Sequence, residues 1–219
     1  MLTLGVDTSE PLGGVALFEN GRLAERRMMD TPLSHAECLF PLIESILEAC
    51  GVERNEIDRV SINRGPGSFT GLRIGLAAMK GFCQSLGIPL VGVDGTEVTR
   101  ELVSDEQRVC VVLANRRDLY YARWFSGARP KGDTKIIREA ELVARLSRET
   151  RTLCVAGSGV SRLKEHLRPG HGIRFAPDAL NEPSPLAVAR RGANENVADQ
   201  LYAIEPLYVE PFLIGGKAA

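Results

Sequence analysis

The chain has 219 residues, 44% of them hydrophobic, enough for one large domain or two small ones around a buried core, and this composition excludes a disordered polypeptide. Its 27 basic and 28 acidic residues leave a formal net charge of -1, which provides no global field to draw it onto nucleic acid or an anionic membrane. Five cysteines, Cys38, Cys50, Cys83, Cys110 and Cys154, lie in apolar runs with no C-x-x-C pair; with no apolar stretch near the ~20 residues that span a bilayer, they predict buried thiols in a cytoplasmic protein without a membrane role.

Residues 2–7 alternate as a strand, and Asp7-Thr8-Ser9 follow as an acidic, hydroxyl-bearing turn. Gly13-Gly14 leads into a second strand, Val15 to Phe18. Asn20-Gly21 is a strong hairpin signal, so a third strand from Arg22 to Met28 completes a meander. From Ser34 the period changes. Ser34-x-x-Glu37 is a capping box, and Leu39, Leu42, Ile43, Ile46, Leu47 and Cys50 recur at helical spacing until Gly51, which predicts a helix from His35 to Cys50. Ile57 to Asn63 is a fourth strand. It delivers the chain into Arg64-Gly-Pro-Gly-Ser-Phe-Thr-Gly-Leu-Arg-Ile-Gly75, a glycine-rich turn that launches a helix from Thr70 to Leu86. The apolar residues of this helix, among them Leu72, Leu76, Met79, Phe82 and Cys83, are not confined to one stripe, so two of its faces must be covered. Gly75, Ala77, Ala78 and Gly81 would let a partner approach closely; the rest of the chain is the other candidate cover. Leu90 to Val93 is a fifth strand, and Asp94-Gly95-Thr96-Glu97 opens another helix.

The second half repeats this order. Val109 to Leu113, Leu119 to Phe125 and Lys135 to Ile137 read as strands, followed by a helix over Glu139 to Glu149. A strand over Thr152 to Ala156, a helix over Val160 to Leu167, a strand over Ile173 to Phe175 and a helix over Pro185 to Glu195 complete it. The pattern predicts an α/β protein of two lobes, 1–103 and 104–219, each a mixed sheet flanked by helices.

Gly65, Pro66, Gly67 and Gly71 before a helix suggest either a phosphate cradle or a close-packed turn. The spacing fits neither the P-loop nor the dinucleotide pattern, and no lysine is placed to reach a phosphate. The steric reading is favoured. Asp7, Thr8 and Ser9 could hold a metal-bound phosphate or satisfy local amides. His35, His166 and His171 lack metal-ligand spacing, and no nucleophile, base and carboxylate stand out as a set, so no catalytic residue and no metal ligand is assigned. The pairs Arg26-Arg27, Arg116-Arg117 and Arg190-Arg191 could meet RNA phosphate but equally be solvated surface.

Together, Leu4-Gly-Val-Asp7-Thr8-Ser9, Ser34-His35-Ala-Glu37, the run from Asn63 to Gly75, Gly87-Ile-Pro-Leu90 and Glu205-Pro-Leu-Tyr208-Val209 resemble the TsaB (YeaZ) family. The resemblance is dense over residues 1–95 and thin over 100–200. It implies a two-lobed actin-like (ASKHA) fold with ribonuclease H-like lobes, related to the catalytic protein TsaD. It further implies a non-catalytic subunit that binds and activates TsaD for threonylcarbamoylation of adenosine 37 (t6A) in tRNAs reading ANN codons. The ATPase TsaE belongs to the same complex, and tRNA is met indirectly. The implied contact uses the helices His35 to Cys50 and Thr70 to Leu86, so Leu39, Leu42, Ile43, Ile46, Leu47, Leu72, Leu76, Met79, Phe82 and Cys83 are the expected interface, with a homodimer through the same helices when TsaD is absent. No cofactor is expected beyond a nucleotide at the subunit interface, of which Asp7, Thr8 and Ser9 would be remnants on this side. TsaD-like chains carry His-x-x-x-His after the fifth strand, where this chain runs from Val93 to Val98 without either ligand. Ala114-Asn115-Arg116-Arg117 stands where the family has Asp-Ala-Arg-Arg. The rival expectation is an active actin-like phosphotransferase or hydrolase, dependent on ATP or metal, using Asp7.

Overall fold

Strand β1 (Leu2–Asp7) is buried along its whole length, as a strand covered on both faces must be. Antiparallel β2 (Gly14–Glu19) pairs with it, and Asn20 and Gly21, at φ 48° and 89°, turn the chain into β3 (Arg22–Met28). Two positive φ angles are what a tight hairpin with right-twisted strands demands. Helix α1 (His35–Cys50) leads to β4 (Arg59–Asn63), which runs parallel to β1. Then come α2 (Phe69–Leu86), β5 (Leu90–Val93) and α3 (Gly95–Leu102). The sheet order is β3-β2-β1-β4-β5, the ribonuclease H-like arrangement. This computed structural model describes residues 1–30, 35–167, 172–195 and 201–209, and the backbone but not the side chain of His35. Ser34 of the expected capping box and His171 lie outside them.

The chain divides into two units, one of Met1–Val98 with Pro183–Pro206, the other of Thr99–Glu182 with the residues from Leu207. In the second unit β6 (Arg108–Ala114), β7 (Leu119–Ser126) and β9 (Lys135–Arg138) form an antiparallel meander, with a two-residue β8 (Arg129–Pro130) also on β7. Helix α4 (Glu139–Leu146), β10 (Leu153–Ala156), α5 (Val160–His166) and β11 (Ile173–Phe175) follow, with β10 parallel to β6 and to β11. With β9 in the place of β3, the first unit's order is reproduced. Cys110, Val112, Tyr120, Leu142, Leu146, Val160 and Leu163 form a core between this sheet and its two helices. The α/β, actin-like ASKHA class expected from the sequence is the class observed.

The last helix, α6 (Pro185–Asn194), departs from the expected division at 103/104, which placed it in the second lobe. It packs across β1, β2 and β4 of the first sheet. The contact is tight because Gly5 has no side chain: a Cβ there would stand 2.2 Å from the Pro185 carbonyl oxygen. Ser61 Oγ donates to the Val188 carbonyl at 2.7 Å, and the Arg59 guanidinium donates to the carbonyls of Gly192 and Glu195, both at 3.0 Å. Leu4, Val6, Val15, Leu17, Val60 and Ile62 face the other way, into the core with α1 and α2. Alternation along β1 thus sends Leu4 and Val6 to one helix layer and Gly5 to the other.

Candidate functional site

The C-terminal ends of β1 and β4 meet the start of α2. Asp7, 2% exposed at the end of β1, accepts at Oδ1 from the Ser9 amide (3.0 Å), the Ser9 hydroxyl (2.6 Å) and Asn63 Nδ2 (3.2 Å), and at Oδ2 from Asn63 Nδ2 (3.2 Å). Asn63 also donates to Ser9 Oγ at 2.9 Å, and its own Oδ1 receives the Gly65 amide at 2.9 Å. The Gly95 amide closes the group on the Gly65 carbonyl at 2.8 Å. The carboxylate thus accepts from its own turn and from β4, which is how a buried acid is kept. Asn63 lies 56 residues from Asp7, and the sequence offered no signal for it beyond its place at a strand end before a glycine.

The glycines of the following run act by close approach. A Cβ on Gly67 would lie 2.3 Å from the Ser9 carbonyl oxygen, on Gly71 2.1 Å from that of Thr8, and on Gly75 2.2 Å from Thr8 Oγ1. Three glycines spaced by four residues thus seat α2 directly on the Thr8-Ser9 turn, and Ser9 O accepts from the Ser68 amide at 2.7 Å. Ser68 caps the helix, its Oγ accepting from the Gly71 amide at 3.2 Å. Gly65 has φ 108°, a conformation open to glycine, and precedes Pro66 in a cis peptide. Thr8 is fully buried with its hydroxyl unpaired and Gly75 packed on it. Where the fifth strand ends, Asp94 Oδ1 accepts from the amide (2.7 Å) and hydroxyl (2.6 Å) of Thr96. Among the described residues, no three His, Cys, Asp or Glu side chains group to hold a metal ion.

The expected interface residues require a correction. Leu39, Ile43, Ile46, Leu47, Leu72, Leu76, Met79, Phe82 and Cys83 are all buried within this chain, and Leu42 is half-buried against the same core. The resemblance implied that they meet a partner, but these side chains of the two helices pack against the first sheet. The outward faces carry other residues. On α1 they are Ala36, Glu37, Phe40, Pro41, Glu44, Ser45, Glu48 and Ala49; on α2 they are Phe69, Thr70, Arg73, Ala77, Gly81, Gln84 and Ser85. Phe40 and Phe69 are 41% and 42% exposed. The Phe40 ring leans on Phe82 at 6.3 Å, bridging the two helices, and the Arg73 guanidinium covers the Phe69 ring at 3.8 Å. Nothing lies within 4 Å of a Cβ built on Gly81. The outward surface of α2 is therefore small-residue and open, flanked by two exposed aromatic rings.

Other candidates resolve into local structure. Arg27 pairs with Glu25, and Arg191 with Glu97 and Glu195. His166 Nε2 lies 3.5 Å from Glu139 Oε1, on a cluster in which the Tyr120 hydroxyl donates to Glu139 at 2.7 Å and Arg162 Nε donates to that hydroxyl at 2.8 Å. None of the five cysteines forms a disulfide among the described residues; Cys83, Cys110 and Cys154 are buried, which pushes their thiols up, Cys83 to about 12 and Cys154 to about 11. No helix among the described residues is long and apolar enough to cross a membrane.

Comparison with known proteins adds four findings. The family model for TsaD, tRNA N6-adenosine threonylcarbamoyltransferase, matches residues 31–191. An uncharacterized protein of Mycobacterium tuberculosis is 31% identical over 210 residues, covering 94% of this chain and 90% of that protein. The tRNA threonylcarbamoyladenosine biosynthesis protein TsaB of Escherichia coli is 32% identical over 93 residues, 42% of this chain and 40% of that protein. The solved structure of YeaZ from Pseudomonas aeruginosa superposes with a TM-score of 0.76 at 24% identity, covering 94% of this chain and 99% of that one.

Proposed function

We propose, for a chain that belongs to the TsaD family and is a TsaB (YeaZ)-like member of it, a role in t6A biosynthesis as the subunit that binds a catalytic TsaD protein and holds it in its active form. The observation that carries this reading is the outward surface of α1 and α2. Ala77 and the open Gly81 allow a partner helix to approach closely, while Phe40 and Phe69 supply aromatic anchors beside them. Exposed aromatic rings around a small-residue strip are unusual for a surface that meets only water.

The Asp7 geometry supports an accessory role over catalysis by this chain. Its carboxylate accepts from Ser9 and Asn63, and Gly67, Gly71 and Gly75 bring the start of α2 against the Thr8-Ser9 turn. TsaE completes the complex, and in the absence of TsaD a second copy of this chain occupies the same helical surface.

The test is binding of the full chain to the TsaD protein of the same organism, together with the t6A content of tRNA after reaction. Ala77→Asp and Gly81→Asp are expected to weaken binding at least about 100-fold and abolish modification while leaving the fold intact, since buried unpaired charge is costly only when the partner covers it. Undiminished binding and modification would overturn the reading.

A further inference from the structure

Charge is unevenly shared between the two units. Residues 1–98 and 183–206 hold ten basic and sixteen acidic residues, whereas residues 99–182 hold sixteen basic and eleven acidic. The net charge of -1, which gives no global field, therefore conceals an acidic and a basic half.

The excess concentrates on one ribbon. Residues 119–138 contain Arg123, Arg129, Lys131, Lys135 and Arg138 against the single acid Asp133. Of these, Arg129, Lys131, Lys135 and Arg138 are exposed. Arg108, Arg162, Lys164, His166 and Arg174 make ion pairs in this unit, and Arg129, Lys131, Lys135 and Arg138 are in none of these. Among the described residues, strands β8 and β9 each pair only with β7, so the ribbon is an outer margin of its sheet. It is held in shape: Arg123 Nε donates to the Gly132 carbonyl at 3.1 Å, and the Lys131 amide donates to the Trp124 carbonyl at 2.7 Å. Beside it the Arg145 guanidinium stacks on the half-buried Trp124 ring at 3.7 Å.

Cations on an edge strand also discourage edge-to-edge pairing. One lysine suffices for that, and four exposed cations on ten residues exceed it. A lipid surface is disfavoured because peripheral membrane binding adds apolar insertion to charge, and the exposed large apolar residues, from Met1 and Leu12 to Tyr202 and Tyr208, all lie outside the ribbon. We propose that the ribbon from Arg129 to Arg138, with Arg123 and Arg145 beside it, is a docking surface for the phosphodiester backbone of RNA. The choice of RNA rests on the proposed role in tRNA modification, and it makes tRNA a direct contact of this chain.

The experiment measures retention of an unmodified tRNA transcript by the full chain, alone and in complex with TsaD, across a salt series. The combined change Arg129→Glu, Lys131→Glu and Lys135→Glu is expected to lower affinity at least about tenfold and to reduce the slope of log affinity against log salt by about two, since each phosphate contact contributes about 0.7 to 0.9. Lys131→Arg with Lys135→Arg is expected to retain RNA, and TsaD binding is expected to be unchanged in both variants. Equal retention by the charge-reversed chain would overturn the inference, as would retention on phosphatidylglycerol vesicles without retention of RNA. Absence of RNA retention while TsaD binding persists would overturn it too, leaving the proposed partnership standing.

Discussion

The first strands of the two sheets occupy the same topological place, yet β1 ends in Asp7 and β6 in Ala114. In the first unit the acid gathers Ser9 and Asn63 and fastens the turn to the strand that feeds α2. In the second, the Ala114 amide donates to Ser158 Oγ at 3.0 Å, the Arg116 amide donates to Asn115 Oδ1 at 2.7 Å, and Arg162 reaches the Asn115 carbonyl at 3.3 Å. Strand order is thus set by the apolar faces, which both units share, whereas the polar chemistry at the strand ends is free to diverge. Surface charge diverges in the same way.

The largest effect that would sharpen this comparison comes from the layer that only the first sheet receives from far along the chain. Gly5→Val drives side-chain atoms into the Pro185 backbone and is expected to cost about 3 kcal/mol or more in urea unfolding; a cost below ~1 kcal/mol would mean that α6 is not held against β1. Next come the two cores. Ile43→Ala and Leu142→Ala each empty a fully buried site, and each is expected to cost about 3 kcal/mol. A small loss in only one would show that the two units are not equally closed.

The strand ends come third. Asp7→Ala leaves the Ser9 amide and hydroxyl without their acceptor and Asn63 Nδ2 with only Ser9 Oγ, at an expected cost of about 2 kcal/mol, against about 1 kcal/mol for Ser158→Ala, where the Ala114 amide loses the bond to its hydroxyl. Reversed costs in thermal or urea unfolding would break the contrast. The smallest effect is alkaline. Burial pushes Cys83 in the first unit and Tyr120 in the second each up to about 12; for Tyr120, bonding to Arg162 lowers it and bonding to Glu139 raises it, both less than burial. Both folded values exceed the ordinary ones near 9 and 10. The neutral forms therefore stabilise the fold fully below pH 9, and that contribution declines as pH rises toward 12. Cys83→Ala and Tyr120→Phe are each expected to flatten part of this decline in unfolding measured at stepped pH, and a decline identical to the parent's would refute the assignment.

Much of the architecture was legible in the sequence because it is written in local chemistry. Asn20-Gly21 located the hairpin, the period change placed α1 from His35 to Cys50, and β3 and β5 fall at the expected residues. What failed depended on distance. No period tells which sheet a helix will cover, so α6 went to the wrong lobe. Ala77 and Gly81 count as compatible with either side of a helix, so α2 looked apolar all round and its inward residues passed for an interface. The Asp7 turn could be read as local, but its tie to Asn63 needs the pairing of β1 with β4. Near the expected boundary at 103/104, Arg100 is only 6% exposed, and its guanidinium donates to the carbonyls of Val103, Glu106 and Gly127, a buried clamp that depends on β7 and cannot be read locally.

The return of α6 to β1 also sets an order of events during synthesis. A ribosome making about 5 to 20 residues per second releases β1 to β5 well before Pro185–Asn194 exist, while Thr99–Glu182 emerge as one contiguous run. The first sheet, though made early, is therefore covered late, and until then the side of β1 that bears Gly5 waits without its cover. A nascent chain arrested before Pro185 should accordingly expose that side to proteases and chaperones, and gain protection only once α6 has left the exit tunnel.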